Sequence, residues 1–236
     1  MKIDAIIFDK DGTLLDFDAF WVTVSKYAVE VFLKKLSITE ITSEEILKVF
    51  GITGDKCDVE GILCKGTYEK MGEAVFSMLK NTSYTCEEIV THLTHAYNDT
   101  AHNGIIKPVS LSQEDTLKKL KSQGKKLILV TSDNLEITKR CLEGLNLWTL
   151  FDKIYVDDGV TPLKPHPFAG ENVSENFNIN KENILMVGDT VTDIKFARNV
   201  GIKVISIAKD QRNRELLSPL ADGIITDMSE LLNIVE

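Results

Sequence analysis

The chain has 236 residues, 43% of them hydrophobic and 27% charged, which is enough for one large domain or two modest ones with real cores. Its formal net charge of −9 argues against a broad nucleic-acid-binding surface, because neutralising phosphates requires clustered Lys and Arg. We therefore expect no nucleic-acid partner, and an anionic substrate would need a local positive centre.

The N-terminal apolar stretch argues against export. Asp4, Asp9 and Asp11 interrupt it too early for a secretory signal, and no apolar run reaches the roughly 20 residues that span a bilayer. We expect a cytoplasmic protein with no membrane partner. The four cysteines have neither CxxC spacing nor a dense framework, so they are predicted to be reduced, partly buried and free of metal: Cys57, Cys64, Cys86 and Cys141.

The first predicted element is a buried strand, Ile3 to Phe8, which leads directly into the loop Asp9-Lys10-Asp11-Gly12-Thr13-Leu14. A carboxylate at the end of a central parallel strand can meet a ligand outside the sheet, and the acid two positions later can reach the same ligand. Neighbouring acids suit metal binding together with nucleophilic or acid–base chemistry. A solvated Asp-Gly turn without chemistry is the alternative interpretation.

A different kind of sequence follows the first strand. Between Asp16 and about Lys107 we find no convincing strand, and the pattern predicts four helices: Phe20 to Leu36, Ser43 to Phe50, Tyr68 to Lys80 and Cys86 to Thr100. We interpret residues 16–107 as a helical domain inserted after the first strand. Aromatic residues at helical spacing are predicted to pack inside this domain: Phe20, Trp21, Tyr27 and Phe32.

From about Lys125 onward, short β-rich runs alternate with amphipathic stretches, which is typical of a parallel sheet covered by helices. The predicted strands are Leu127 to Val130, Lys153 to Val156, Ile184 to Val187, Val204 to Ile207 and Ile224 to Ile225. Helices are predicted over Leu135 to Glu143 and Asp193 to Asn199, the latter followed by Gly201. Residues 1–15 and 108–236 are therefore predicted to form one α/β, Rossmann-like core with a mostly parallel sheet.

Two polar motifs follow predicted strands of this core. Thr131 and Ser132 come after Leu127 to Val130, where hydroxyls and free backbone N–H groups at a helix start suit phosphate. Helix capping alone is the alternative explanation for both hydroxyls. Lys164 lies in a loop with three prolines, Thr161 to Pro167, which can hold its ammonium in one place. A solvated loop lysine is the alternative there.

A third polar motif follows Ile184 to Val187, where Gly188 precedes Asp189 and another acid, Asp193, comes four residues later. Asp189 can complete an oxygen-ligand site with the loop of Asp9. Acids are also favoured near the start of a helix, which is the structural alternative. Each of these motifs falls at the C-terminal end of a predicted parallel strand, and this agreement favours the functional interpretation.

The chain resembles the haloacid dehalogenase-like hydrolase superfamily, and within it the phosphoglycolate phosphatase-like branch with a helical cap after the first motif. The resemblance rests on four motifs in order: Asp9-x-Asp11-Gly-Thr, Thr131 after an apolar strand, Lys164-Pro, and Gly188-Asp189-x-x-x-Asp193. It implies a Mg²⁺-dependent phosphatase that hydrolyses a small phosphomonoester through an aspartyl-phosphate. The partner would be a small phosphorylated metabolite, and the motifs make no prediction of oligomeric state.

The resemblance also implies a role for each residue that meets the phosphoryl group. Asp9 would be the nucleophile, and Asp11 would protonate the leaving oxygen and then deprotonate the attacking water. Thr131 would hydrogen-bond the phosphoryl oxygens, and Lys164 would hold both the phosphoryl group and the nucleophile. Ser132, beside Thr131, belongs to the same predicted phosphate site. An acid–base role of this kind contributes roughly 10²- to 10⁴-fold in rate.

The resemblance further implies a magnesium site. Asp9, the backbone carbonyl of Asp11 and Asp189 would bind Mg²⁺, with Asp193 helping mainly through water or outer contacts. An all-oxygen ligand set selects a hard cation, and phosphate favours Mg²⁺ over Ca²⁺.

The helical cap would close over the substrate, exclude water and supply specificity. Within it, the polar loop from Gly51 to Thr67 is the candidate for facing the substrate through Lys56 or Lys65, although both lysines have a solvated role as the alternative.

Other functions stay open at this stage. A sugar-phosphate phosphomutase of the same superfamily would use the same four motifs. A haloacid dehalogenase fits less well, because it has no use for the second acid, Asp11, and a phosphonate hydrolase needs a Schiff-base lysine in the cap. A signalling receiver module or a non-catalytic protein is least favoured, since a receiver is about half this length and needs no helical insertion.

Overall fold

The computed structural model describes residues 2–235, and the chain divides into two compact units. The first unit contains the described residues up to Asp16 and from Ile106 onward, and the second is Phe17–Ile105. Among the described residues, no helix is both long and apolar enough to cross a membrane.

The strands and helices of the described residues are numbered in chain order. The strands are β1 (Ala5–Phe8), β2 (Ile52–Thr53), β3 (Lys56–Cys57), β4 (Lys126–Val130), β5 (Lys153–Tyr155), β6 (Ile184–Gly188), β7 (Lys203–Ile207) and β8 (Gly223–Ile225). The α-helices are α1 (Thr23–Leu36), α2 (Ser43–Val49), α3 (Ile62–Lys65), α4 (Tyr68–Met78), α5 (Cys86–Thr100), α6 (Gln113–Ser122), α7 (Leu135–Gly144), α8 (Phe168–Phe177), α9 (Val191–Val200), α10 (Gln211–Leu217) and α11 (Leu231–Ile234). A π-helical turn, Asp18–Val22, runs into α1.

The first unit is built on a six-stranded sheet of order β5-β4-β1-β6-β7-β8, in which every neighbouring pair is parallel. β1 is central, and its last residue, Phe8, lies opposite Leu129 on one side and Val187 on the other. Because all strands run the same way, the residues that follow β4, β1 and β6 meet at one edge of the sheet. The predicted α/β, Rossmann-like fold with a mostly parallel sheet is confirmed.

Alternate residues of the strands pack under helices on one face of this sheet. Ala5 and Ile7 of β1 join a buried cluster with residues of β4, β6 and β7. Helices α8 and α9 cover this face, chiefly through Val173 and Phe196. Full burial of β1, with an apolar residue at all four positions, explains why its sequence is a continuous apolar run rather than an alternating one.

The second unit is helical, with α1 and α4 packed against α5. Thr85 caps the start of α5 in a reciprocal pair with Glu88, as expected from an N-terminal threonine followed by acids. In its core, the hydroxyl of Tyr97 donates to Oγ of Ser25 over 2.8 Å. The Tyr97 hydroxyl needs this partner, because a buried hydroxyl without a hydrogen bond destabilises the folded state.

Two predictions about this unit were wrong. It contains a short antiparallel hairpin of β2 and β3, in which Thr53 lies opposite Lys56. Strands of two residues are too short to leave an alternating pattern in the sequence. Tyr27 was predicted to pack in the interior, yet it is 48% exposed, because the buried face of α1 runs through Val24, Ala28 and other residues at helical spacing that exclude position 27.

Candidate active site

Three acidic side chains meet at the carboxyl-terminal edge of the sheet. Asp9 follows β1, Asp189 follows the adjacent strand β6, and Asp193 is in the first turn of α9. One carboxylate oxygen from each of them lies within 4.8 Å of the others. Asp9 and Asp193 are buried, and Asp189 is partly exposed. The sheet order therefore brings together acids that are far apart in the sequence.

Lys164 provides the positive charge of this cluster. Its Nζ lies 2.5 Å from Oδ1 of Asp9 and 2.7 Å from Oδ1 of Asp193, and its side chain is only 5% exposed. The residue belongs to the proline-containing loop between β5 and α8. The solvated alternative for this lysine is therefore wrong. Its ammonium contacts two of the three carboxylates of the cluster, those of Asp9 and Asp193.

The acidity of these groups reflects burial and mutual repulsion. Burial raises the pKa of Asp9 to about 7; the Lys164 ammonium opposes this rise, whereas the charges of Asp193 and Asp11 add to it. Burial, followed by the charges of Asp9 and Asp193, also raises the pKa of Asp189 well above its ordinary value. A buried set of oxygen ligands whose charges repel one another is suited to a hard divalent cation, which would remove that repulsion.

The last two residues of the first motif, Gly12 and Thr13, lie against the carboxylate of Asp189. Gly12 has φ +83°, and a Cβ added there would lie 1.9 Å from Oδ2 of Asp189. The next residue, Thr13, donates its hydroxyl to Oδ1 of Asp189 over 3.1 Å. Position 12 thus requires glycine both for its backbone conformation and for the close approach of a carboxylate.

Asp193 serves two local purposes at once. It forms a reciprocal cap with Thr190 at the start of α9: the Thr190 hydroxyl donates to Oδ2 of Asp193 over 2.6 Å, and the N–H of Asp193 donates back over 3.3 Å. Its other oxygen accepts from Lys164. Asp193 is therefore both a helix-start residue, as the structural alternative states, and a member of the acidic cluster.

Asp11 lies in a second charged group, formed with Lys10 and Asp133, that was not predicted from the sequence. Lys10 is completely buried, and its Nζ lies 2.7 Å from Oδ1 of Asp11 and 2.7 Å from Oδ2 of Asp133. Burial and the charge of Asp11 raise the pKa of Asp133 to about 7, although Lys10 lowers it. The sequence feature that could have predicted this group is Lys10, which lies between two acids directly after a buried strand. Alternate side chains of extended backbone point to opposite sides, so Lys10 is expected to point away from Asp9.

The two hydroxyl residues after β4 differ in exposure. Thr131 is 3% exposed, its N–H donates to the carbonyl of Tyr155 over 3.0 Å, and its Oγ1 accepts from the N–H of Asp133 over 3.3 Å. Ser132 is exposed. Asn134 caps α7 by accepting from Ile137, so helix capping does not account for either hydroxyl. Thr131 follows β4, the strand next to β1, and so lies at the same carboxyl-terminal edge of the sheet as Asp9.

Lys56 and Lys65, the predicted candidates for substrate contact, both form ion pairs within the helical unit. Nζ of Lys56 lies 2.9 Å from Asp18, and Lys65 forms an ion pair with Glu60. Both pairs are on the surface of that unit, where such interactions contribute little to stability. Of the four cysteines, Cys57, Cys64 and Cys86 are partly exposed and Cys141 is buried.

Comparison with known proteins places the chain in a family. Residues 6–207 match the family described as haloacid dehalogenase-like hydrolase. The chain therefore belongs to the haloacid dehalogenase-like hydrolase family, and the prediction of a hydrolase of this family is confirmed.

Two relatives match over the whole chain. A protein of Caldanaerobacter subterraneus subsp. tengcongensis, provisionally named pyrophosphatase PpaX, is 29% identical across 100% of this chain and 96% of its own length. Pyrophosphatase PpaX of Bacillus cereus strain G9842 is 25% identical across 100% of this chain and 97% of its own length.

Solved structures show the same fold at lower identity. A Haemophilus somnus 129PT protein described as a predicted phosphoglycolate phosphatase has a TM-score of 0.73 at 20% identity and covers 99% of this chain with 98% of its own. A provisionally named β-phosphoglucomutase of Thermotoga maritima has a TM-score of 0.68 at 20% identity, with coverage of 99% and 98%. YfnB of Bacillus subtilis, a provisionally named HAD hydrolase bound to magnesium, has a TM-score of 0.67 at 17% identity, with coverage of 100% and 99%.

Proposed function

We propose that this protein is a Mg²⁺-dependent phosphatase that hydrolyses a small phosphorylated metabolite in two displacements through an aspartyl-phosphate on Asp9. The observation that carries the proposal is the contact of Lys164 with Asp9 and Asp193 beside a cluster of three carboxylates. A nucleophilic carboxylate and a phosphate repel each other, so the attack needs fixed positive charge at the reacting atoms.

In this proposal, Asp9 attacks the phosphorus atom and the leaving oxygen departs with a proton from Asp11. Asp11 then takes a proton from the water that hydrolyses the aspartyl-phosphate. Lys164 holds Asp9 and the phosphoryl oxygens, and Thr131 with Ser132 donates hydrogen bonds to those oxygens. The covalent intermediate divides a difficult reaction into two easier steps, and Asp11 serves as the acid in the first step and as the base in the second.

The proposed Mg²⁺ ligands are Asp9, Asp189 and the backbone carbonyl of Asp11. Asp193, in the first turn of α9, would contribute mainly through water or outer contacts. The ion would supply the positive charge that a phosphate dianion needs as it approaches a carboxylate. The donor set fits this ion, since it consists of oxygen atoms, and burial followed by mutual repulsion raises the pKa of Asp9 and Asp189.

The substrate class is tested with a panel of phosphoglycolate, sugar phosphates, nucleoside monophosphates and aryl phosphates. Inorganic pyrophosphate belongs on the panel because PpaX of B. cereus is named a pyrophosphatase. We expect phosphate release with Mg²⁺ and none with a chelator. Asp9→Asn should be almost inactive while its circular dichroism spectrum is unchanged. The proposal fails if wild type releases no phosphate from any compound and Asp9→Asn behaves identically.

Metal binding is tested separately from turnover. Mg²⁺ should raise the thermal midpoint of the wild-type protein, because a ligand that binds only the folded state stabilises it. The rise should be much smaller for Asp189→Asn. Asp152→Asn is a suitable control, since Asp152 pairs with Lys121 and Lys126 away from the cluster. An equal rise in all three proteins would contradict the proposed ligands.

Phosphomutase activity remains the second candidate, because it would use the same four motifs. It is distinguished by incubating sugar monophosphates with the enzyme and separating the products by chromatography. A phosphatase yields free phosphate and free sugar, whereas a mutase yields an isomeric sugar phosphate at constant total ester.

A further inference from the structure

Two cysteines of the helical unit are in contact through their sulphur atoms. Cys57 ends β3 and Cys64 lies within α3. The thiol of Cys64 donates a hydrogen bond to Sγ of Cys57, with 3.3 Å between the two sulphurs. Both residues are partly exposed, so a small oxidant in solution can reach them. A sulphur–sulphur bond is about 2.0 Å long, so only a small approach is needed to form one.

The backbone between the two thiols is held in a defined turn. The N–H of Gly61 donates to the carbonyl of Asp58 over 2.7 Å, and the N–H of Cys64 donates to the carbonyl of Gly61 over 3.1 Å. The N–H of Leu63 donates to Phe50, which fixes the start of α3 against the end of α2. The closeness of the thiols is thus a property of the folded segment and should disappear on unfolding.

We propose that Cys57 and Cys64 form a reversible disulfide when the protein encounters a peroxide. This modification site does not depend on the proposed phosphatase function. The Cys57 thiolate attacks one oxygen of hydrogen peroxide, so that a sulphur–oxygen bond forms, the oxygen–oxygen bond breaks, and the departing hydroxide takes a proton to become water.

The Cys64 sulphur then attacks the sulfenic sulphur of Cys57. The sulphur–sulphur bond forms as the sulphur–oxygen bond breaks, and the second hydroxide leaves as water with the proton of Cys64. Two thiols are oxidised and one peroxide is reduced to two waters.

The surroundings of the four cysteines favour this pair. The hydrogen bond from Cys64 lowers the pKa of the Cys57 thiol, which increases its thiolate fraction. Burial raises the pKa of Cys141 to about 12, so this thiol should react slowly. Cys86, at the start of α5, is partly exposed like the pair and serves as the internal reference for access.

The sequence makes the product easy to measure. Lys56 precedes Cys57 and Lys65 follows Cys64, so trypsin releases both cysteines in one peptide. The reduced full-length protein is treated with hydrogen peroxide, alkylated, and digested. In the disulfide form, this peptide is two hydrogen atoms lighter than the reduced peptide and carries no alkyl group. We expect this form to appear at least about 10-fold faster than Cys86 is oxidised. Cleavage after Glu60 should leave its halves joined until dithiothreitol separates them.

Variants and unfolding provide the controls. Cys64→Ser should accumulate a sulfenic acid on Cys57 that a 1,3-dione captures, whereas Cys86→Ser should form the link at the wild-type rate. In urea the rate advantage over Cys86 should vanish. The inference is overturned if the pair is oxidised no faster than Cys86, if other cysteine pairings predominate, or if the advantage persists in urea. Circular dichroism verifies that each variant is folded.

Discussion

Lys10, which is completely buried, forms an ion pair with partly buried Asp133, with 2.7 Å between Nζ and Oδ2. The same ammonium contacts Asp11 at 2.7 Å. Lys10 therefore links the loop after β1 to the loop after β4, and it fixes the carboxylate proposed as the acid and base. A lysine with no solvent exposure is retained only where carboxylates balance its charge.

Replacing Lys10 by methionine should strongly destabilise the protein. The change leaves Asp11 and Asp133 without their shared cation, and breaking a buried pair in this way costs about 3–5 kcal/mol of unfolding free energy. Urea unfolding measures the loss. Adding Asp133→Asn should restore part of it, because one orphaned charge is removed. Lys26→Met is the matched control, since Lys26 pairs with Asp55 at the surface, and a similar loss there would contradict this explanation.

Replacing Gly12 by alanine should disable the site while the fold persists. Its Cβ would lie 1.9 Å from Oδ2 of Asp189, so the loop or the carboxylate must move. We expect phosphate release and the Mg²⁺-induced rise in thermal midpoint both to be lost.

The matched control for this change is Gly124→Ala. Gly124 has nearly the same backbone angle, φ +81°, but no atom within 4 Å of an added Cβ. It should lose about 1 kcal/mol of stability from the left-handed backbone alone and keep wild-type turnover. Equal loss of activity in both variants would show that contact with Asp189 is irrelevant.

Replacing Asp11 by asparagine should separate the two proposed displacements. An aryl phosphate has a leaving group that departs without protonation, so Asp9 should still become phosphorylated. Water attack then lacks its base and should slow by about 10²- to 10⁴-fold. Stopped-flow absorbance should show a burst of about one aryl alcohol per enzyme, followed by slow turnover. Asp9→Asn should give no burst, and a burst-free Asp11→Asn would argue against a two-step reaction.

The titration of Asp9 should make the stability of the metal-free protein depend on pH. Its folded pKa of about 7 lies above the ordinary value of 3.8, so the folded state holds a proton that the unfolded state releases. The contribution of Asp9 to stability is therefore full below pH 3.8 and is lost as the pH rises through about 7.

Comparing wild type with Asp9→Asn isolates this contribution. The thermal midpoint of the metal-free wild type, relative to that of the variant, should fall as the pH rises across this range. Mg²⁺ should stabilise the wild type more at the upper end, where Asp9 is deprotonated. A difference that stays constant or grows with pH would contradict the raised pKa.

The sequence alone was sufficient for the architecture of the core. Short apolar runs such as Ile184 to Val187 predict buried parallel strands, because both faces of such a strand are covered by helices. Placing Asp9, Thr131 and Asp189 at strand ends then follows, since the ends of parallel strands share one edge. The boundaries shifted by one or two residues, as at β1, where the predicted start of Ile3 became Ala5.

Only the tertiary structure decided which groups are in contact. The order of the strands places Lys10 beside Asp133 and Gly12 against Asp189. A turn brings the thiols of Cys57 and Cys64 into contact. Local patterns report which face of an element is apolar, and this information is present in neighbouring residues. Contacts between distant residues depend on loop backbone geometry and on the pairing of strands, and neither leaves a periodic signal in the sequence.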